Sequence, residues 1–434
     1  MSFYEYNFYI LVVIVVGVVY LQQKHVGRRP DAEGGRSPTA SGELWNFKKT
    51  FFPVYILVLG SHWIQNPYIY TLYKDEKGLS EETITQLFIA SFLAAAISAV
   101  FVGALADRYG RRRTSLVFCA VYSLSCFTVL SKSVLVLFAG RMLGGVANTI
   151  IATLFESWMV SEFHKRKLEE VGSLKDVFGM MTMINGLVAI LAGVIAQEAT
   201  DFTQTKTAPF MCAVFFLVVS FDLLLRKWTE NFGEPTETEK LEGNPYKRLW
   251  TLCLVMTFFE GPMYLWIFFQ FPALEFAHEE GGRGDTMSFG IIFAAMMCSM
   301  ILGSQFFIHY SSLPRSRWVV TTSKLLALTL IIASICFIIP TLFHNEAVTF
   351  WCFCIFEVCC GIYFPSVAHL RERIIEDHIR ARVYSLLRIS LNLFVVIGLV
   401  SNREGRQHRE NVFGICSVGL LSAATILGLL VTDV

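Results

Sequence analysis

Apolar runs of about twenty residues recur along this chain, and nothing else in it constrains the fold so tightly. Lipid offers a backbone no hydrogen-bond partner, so such runs must cross a membrane as helices, ~20 residues to a span. Thirteen runs read as spans, over residues 4–21, 50–72, 83–106, 114–131, 134–160, 173–197, 207–227, 248–274, 286–310, 318–340, 346–370, 380–400 and 411–432. Composition agrees, with 54% hydrophobic and 16% charged residues where soluble domains carry roughly a quarter charged. The net charge is +1, so no basic field points to nucleic acid and no acidic excess to disorder. The fold class expected is an all-α membrane protein.

The first run, FYEYNFYILVVIVVGVVYL, has no basic residue ahead of it and no small-residue cleavage pattern behind it, and Lys24, Arg28 and Arg29 follow. A secretory signal peptide would carry its positive charge in front, so a retained helix over 1–21 is expected. Residues 22–49 are polar, with Gly, Ser and Pro, and read as a flexible cytoplasmic linker. Alternate loops carry twenty-five Lys and Arg on one side and eight on the other. The positive-inside rule then puts the N-terminus outside and the C-terminus in the cytoplasm. The discordant outer loop holds Arg403, Arg406 and Arg409, read as an external anion-attracting or lipid-contacting patch. The eleven cysteines fall almost wholly within spans without zinc-knuckle spacing, so neither a disulfide framework nor a metal site is expected.

Without the leading run twelve spans remain, and the interval from Lys227 to Lys247 divides them six and six. Three shifts that differ only by loop-length changes lay Gln65-Asn66-Pro67-Tyr68 over Glu260-Gly261-Pro262-Met263, Gly103 over Gly303, and Arg141, Gly145 and Glu156 over Glu357, Gly361 and Glu372. A duplicated six-helix unit fits these matches, with both Pro-containing helices expected to break near mid-span. Transporter sites lie where such interrupted helices free backbone polar groups. The domains expected are a leading helix at 1–21, a linker at 22–49, bundles at 50–227 and 248–434, and an inter-bundle loop at 228–247.

The most specific motif is GALADRYGRRRTS, Gly103 to Ser115. Gly103 would allow close helix approach, Asp107 would face the positive end of a neighbouring helix, and Gly110 would allow a tight turn before Arg111, Arg112 and Arg113. This resembles the loop signature of the major facilitator superfamily, which implies a fold of two six-helix bundles, here with one extra N-terminal transmembrane helix. The resemblance also implies a charge relay at a cytoplasmic gate, carried here by Asp107, Arg111 and Glu156, with Arg112 alongside. HWIQNPYIYTLY (His62 to Tyr73), VYSLSC (Val121 to Cys126), GRMLGG with FESW (Gly140 to Trp158), CGIYFPS (Cys360 to Ser366) and NVFGIC (Asn411 to Cys416) together resemble the eukaryotic molybdate-anion transporter family. That resemblance implies uptake of molybdate across the plasma membrane by alternating access.

Ionisable groups at bilayer depth cost ~3 kcal/mol or more, so they face one another or a wet site. Arg141, Glu260, Glu357 and Arg388 are the strongest, with Lys324, His62, Gln65, Asn66 and Asn392 behind them. Arginine suits an oxyanion because its planar fork presents several donors and stays protonated. The expected substrate contacts are Arg141, Arg388, Gln65, Asn66, Tyr68 and Tyr264. An ion pair between Arg141 and Glu357 is the alternative, as is inward snorkelling for Arg388. Glu260 and Glu357 are expected to balance charge or carry a coupling proton. GRMLGG lacks the Lys-Ser/Thr ending of a phosphate loop, so ATP-driven transport is not expected. No enzyme activity and no cofactor are expected. The partners are molybdate or a similar oxyanion, the bilayer and, with a coupling acid, protons. A carrier of an organic anion or sugar, and a non-transporting receptor or scaffold, remain open readings.

Overall fold

A computed structural model describes residues 2–26, 38–170, 172, 174–232, 246–281, 287–312, 322–374, 377–400 and 406–430. In chain order the helices are α1 (Phe3–Val26), α2 (Pro38–Trp63), the single turn α3 (Ile69–Thr71) leading into a π-helical turn (Leu72–Glu76), α4 (Glu81–Tyr109), α5 (Arg111–Thr128), α6 (Val134–Lys165), α7 (Leu174–Thr203) and α8 (Ala208–Lys227). They continue as α9 (Tyr246–Glu280), α10 (Phe289–Ser312), α11 (Thr322–Leu342), α12 (Glu346–Ile374), α13 (Asp377–Val400) and α14 (Arg406–Leu430). No strand occurs among the described residues. Every span expected from the apolar runs is met by a long helix, and among the described residues ten helices are long and apolar enough to cross a membrane. The chain is an all-α, multi-pass membrane protein.

The helices gather into two compact units, Gln23–Pro235 and Met1–Gln22 with Thr236–Val434. The leading helix, expected as a separate segment, thus belongs with the C-terminal helices. Tyr4, Phe8, Leu11 and Val15 are its buried apolar residues, spaced to form one helical stripe. The Tyr4 hydroxyl donates to Glu346 Oε1 on α12 at 2.6 Å, and Phe350 receives Phe3 and Tyr4 edge-on at 5.6 and 5.4 Å.

Two expectations about helix ends are corrected. The linker placed at 22–49 gives way to α2 at Pro38, because Phe47 and Phe51, one turn apart, are both fully buried. Phe47 stacks on Phe51 at 6.3 Å and meets Phe163 edge-on at 5.9 Å. The break expected at Glu260-Gly261-Pro262 does not occur, and α9 runs unbroken through Pro262 and Pro272. Neighbouring helices can support a proline within a membrane helix, and here the Phe394 ring of α13 packs on the Gly261 backbone.

Between lipid-bathed helices no hydrophobic difference drives association, so small residues that admit a neighbouring backbone carry the packing. A Cβ on Gly145 would overlap the Ser91 carbonyl of α4, and one on Gly361 would overlap the Met300 carbonyl of α10. These repeat-mates seal the same kind of helix pair in each unit, α4 with α6 and α10 with α12. Gly103 does not share this role, although Gly303 does: it is exposed, and a Cβ there meets nothing within 4 Å. Gly361→Ala should therefore destabilise the protein by ~1–3 kcal/mol through overpacking. Gly103→Ala should be neutral or stabilising, by up to ~1 kcal/mol of helix propensity. Thermal unfolding of the detergent-solubilised variants checks both; equal shifts would contradict the assignment.

Candidate functional site

The first unit gathers its interior polar groups where α2 ends. Pro67 lacks an N–H and restricts Asn66 before it, and the chain passes from Ile64 to Tyr68 in turns held by Asn66 N–H to the Trp63 carbonyl and Tyr68 N–H to the Gln65 carbonyl, each 3.2 Å. Just before this break, His62 Nδ1 lies 3.1 Å from the Tyr122 hydroxyl of α5. Trp63 Nε1 donates to Asn185 of α7 at 2.9 Å, and Gln65 Nε2 turns back to the Ser61 carbonyl at 2.7 Å.

Arg141 on α6 faces α4, its guanidinium carbon 4.5 Å from the Phe88 ring centroid. Its Nε is buried and finds no hydrogen-bond acceptor. No carboxylate of its own unit pairs with it among the described residues. A cation held over an aromatic face gains ~0.5–2 kcal/mol, while an unmet buried donor costs ~1–3 kcal/mol. The guanidinium is thus held over an aromatic ring with one buried donor unspent.

Other expected site residues lie elsewhere. The Tyr68 hydroxyl is bound to Gln197 Oε1 at 2.7 Å, and Gln197 in turn donates to both oxygens of Asp201 at 3.0 Å. Asn66 is half-buried in the turn. In the second unit Tyr363 donates to Glu260 Oε1 at 3.1 Å and stacks on Phe259 at 3.7 Å. Tyr264 is half-buried one turn further along α9. Glu357 is buried, with 5% of its surface exposed and no carboxylate hydrogen bond among the described residues. Arg388 falls in α13 and Arg406 of the arginine patch begins α14, both outside the residues whose side chains are described, and Arg403 lies outside the described residues. Arg409 of that patch is engaged with α9, donating to the Pro272 carbonyl at 3.2 Å and lying 5.0 Å over Phe276. Sequence reasoning overlooked Tyr122 and Phe88, although Tyr122 stands within a motif that carries the family resemblance.

The α4–α5 loop forms the expected tight turn, with Gly110 at φ +102°. Arg111 Nη2 pairs with Asp107 at 2.8 Å and Nη1 donates to the Ser157 carbonyl of α6 at 2.9 Å, beside the exposed Glu156. Arg112 reaches the last carbonyls of α8, Leu224 at 3.2 Å and Leu225 at 2.8 Å. Charge alone does not indicate Glu230. Its Oε1 accepts from the Arg112 backbone N–H at 2.8 Å, capping α5, and its carboxyl fills the space a Cβ on Gly110 would need. Trp228 stacks on Trp158 at 3.7 Å, Trp158 Nε1 donates to the Thr229 carbonyl at 3.0 Å, and Asn231 accepts from the Arg111 backbone N–H at 3.0 Å. Residues 228–232, the described start of the loop expected at 228–247, are thereby strapped to their own unit. Glu230→Ala should cost ~1–2 kcal/mol as a lost helix cap, and Glu230→Gln, which keeps an acceptor, should recover most of it in thermal unfolding.

Sequence comparison matches residues 3–356 to the MFS_5 family, described as sugar transporters with 12 TM segments. The molybdate-anion transporter of Xenopus tropicalis is 27% identical over 393 residues, covering 87% of this chain and 83% of that protein. The molybdate-anion transporter of Danio rerio is 26% identical over 432 residues, covering 91% and 87%. Among solved structures, an auto-inhibited POT family peptide transporter superposes with a TM-score of 0.69 at 12% identity, over 89% of this chain and 98% of that one. Together with the long helices among the described residues and the loop at Gly110, these matches show the major facilitator fold, and the chain belongs to the MFS_5 family of membrane transporters.

Proposed function

We propose that this transporter mediates uptake of a tetrahedral oxyanion, molybdate, across the plasma membrane, anchoring it on Arg141. One observation carries the reading: a guanidinium inside the first unit has a buried Nε with no acceptor and no carboxylate partner of its own unit among the described residues. A dianion relieves both deficits, because arginine binds such oxygens through paired, charge-assisted hydrogen bonds. Curated relatives named for molybdate support the choice of anion.

In this reading Gln65 and Asn66 at the α2 break add neutral contacts beside Arg141, and Tyr68 holds the break in place through Gln197. Glu260 and Glu357 balance charge or carry a coupling proton. Asp107, Arg111, Arg112 and Glu156, with Gly103 and Gly110, serve the cytoplasmic gate, and the N-terminus is outside. Sugar carriage is a second reading, favoured by the description of the matching family. A sugar presents neutral hydroxyls, however, which leave the Arg141 charge unmatched.

Uptake of labelled molybdate into proteoliposomes separates these readings. Saturable uptake, inhibited by tungstate or sulfate and indifferent to hexoses, is the expected result. Saturable hexose uptake that molybdate leaves untouched would replace the oxyanion with a sugar, and binding without flux would indicate a receptor.

A further inference from the structure

Phe88 is buried on α4 and stands outside the contacts assigned to the substrate. Its place against Arg141 follows from how α4 meets α6. Arg141, Gly145 and Thr149 are spaced four apart on α6 and so share one face. Thr149 Oγ1 donates to the Ala95 carbonyl at 3.0 Å and accepts from the Ser98 hydroxyl at 2.9 Å. One turn nearer the start of α6, a Cβ on Gly145 would lie 2.1 Å from the Ser91 carbonyl oxygen, so the two backbones touch. One turn nearer still, the Arg141 guanidinium carbon lies 4.5 Å from the centroid of the Phe88 ring. The partners on α4, Ala95, Ser91 and Phe88, step back three or four residues at a time. The Arg141–Phe88 contact is thus one rung of a seam whose neighbouring rung has no room for a side chain.

We infer that Phe88 is a positioning and specificity-determining residue, which presents the Arg141 fork to an oxyanion; the inference rests on the oxyanion reading above. A half-buried arginine has to be held by something. A carboxylate would hold it and occupy the paired donors that an oxyanion needs. A ring face attracts the cation but offers no acceptor lone pair. The guanidinium is therefore oriented without its N–H groups being spent on what orients it, and its buried Nε has no acceptor in the protein. Orientation matters because two oxygens on one centre match a planar fork, whereas a halide senses only the charge. Loss of the ring should then weaken both affinity and the preference for oxyanion over halide.

Initial rates of molybdate uptake by the full-length protein in proteoliposomes test this. Phe88→Leu keeps apolar bulk but removes the ring face, and it should raise KM about tenfold with kcat within about twofold of wild type. Phe88→Tyr keeps the face and should stay within about threefold of wild type. In the Arg141→Gln background, where the group to be positioned is gone, Phe88→Leu should change the residual kcat/KM by less than about twofold. Inhibition by sulfate relative to bromide should also weaken in Phe88→Leu. Thermal unfolding verifies that each variant is folded, and Phe88→Met replaces Phe88→Leu if that variant is not.

Kinetics of Phe88→Leu within about twofold of wild type, a loss that Phe88→Tyr shares, or a loss undiminished in the Arg141→Gln background overturns the positioning role. Each of these leaves the oxyanion reading standing, because that reading is decided by the wild type and by Arg141→Gln alone. Absence of saturable molybdate uptake by the wild type overturns the oxyanion reading and the role of Phe88 with it.

Discussion

Replacing Arg141 with Gln is expected to lower the kcat/KM of molybdate uptake by about 100-fold or more while leaving the protein folded. Losing one partner of a buried, hydrogen-bonded charge pair costs ~2–5 kcal/mol, which spans ~30-fold to several thousand-fold. Stability should change far less. Nε has no protein acceptor to lose, and the contact over Phe88 at 4.5 Å accounts for only ~0.5–2 kcal/mol. Arg141→Lys keeps the charge but not the planar fork and should fall between, about tenfold below wild type. Initial rates in proteoliposomes at matched protein, read beside thermal unfolding, make the comparison. Uptake within about threefold of wild type in Arg141→Gln would remove Arg141 from the site.

The largest effect on stability is expected at Trp228, the first residue after α8. Its ring lies 3.7 Å from Trp158 at an interplanar angle of 14°, meets Phe155 edge-on at 5.8 Å, and its Nε1 donates to the Thr50 carbonyl at 3.2 Å. Trp228→Ala removes a buried ring, at ~3–5 kcal/mol, and frees the strap through which Thr229 and Asn231 hold α6 and α5. Trp228→Phe keeps an aromatic face and loses one hydrogen bond, so ~1–2 kcal/mol is expected. A shift for Trp228→Ala worth less than ~1 kcal/mol would mean the strap contributes little.

Local features were legible to the degree that their causes are local. Gly110 could be assigned to a turn because a positive φ is a property of one residue and its two neighbours. The helical start of α2 was missed because Trp45 and Phe47 stand in a polar stretch, and Phe47 is buried among partners that include Phe163, more than a hundred residues away. The two Pro-containing segments show the same limit. Asn66-Pro67 ends a helix whose flank is held by Asn185 and Gln197 of α7, whereas Gly261-Pro262 continues a helix pressed by Phe394 of α13. The repeat identified the matching glycines Gly145 and Gly361, but could not reveal that Gly103 and Gly303 differ in what they face.

Taken alone, the amino-acid order determined which apolar segments become long helices among the described residues and roughly where most of them lie. Every span must satisfy its own backbone in lipid whatever stands beside it, so hydropathy read one segment at a time is enough. Only the tertiary structure decided which side chains meet: Arg141 over Phe88, His62 against Tyr122, Glu230 on the start of α5, and Tyr4 of the leading helix on Glu346. Such meetings depend on short-range contacts between helices brought together by small residues, and the composition of a single span carries no record of its neighbours.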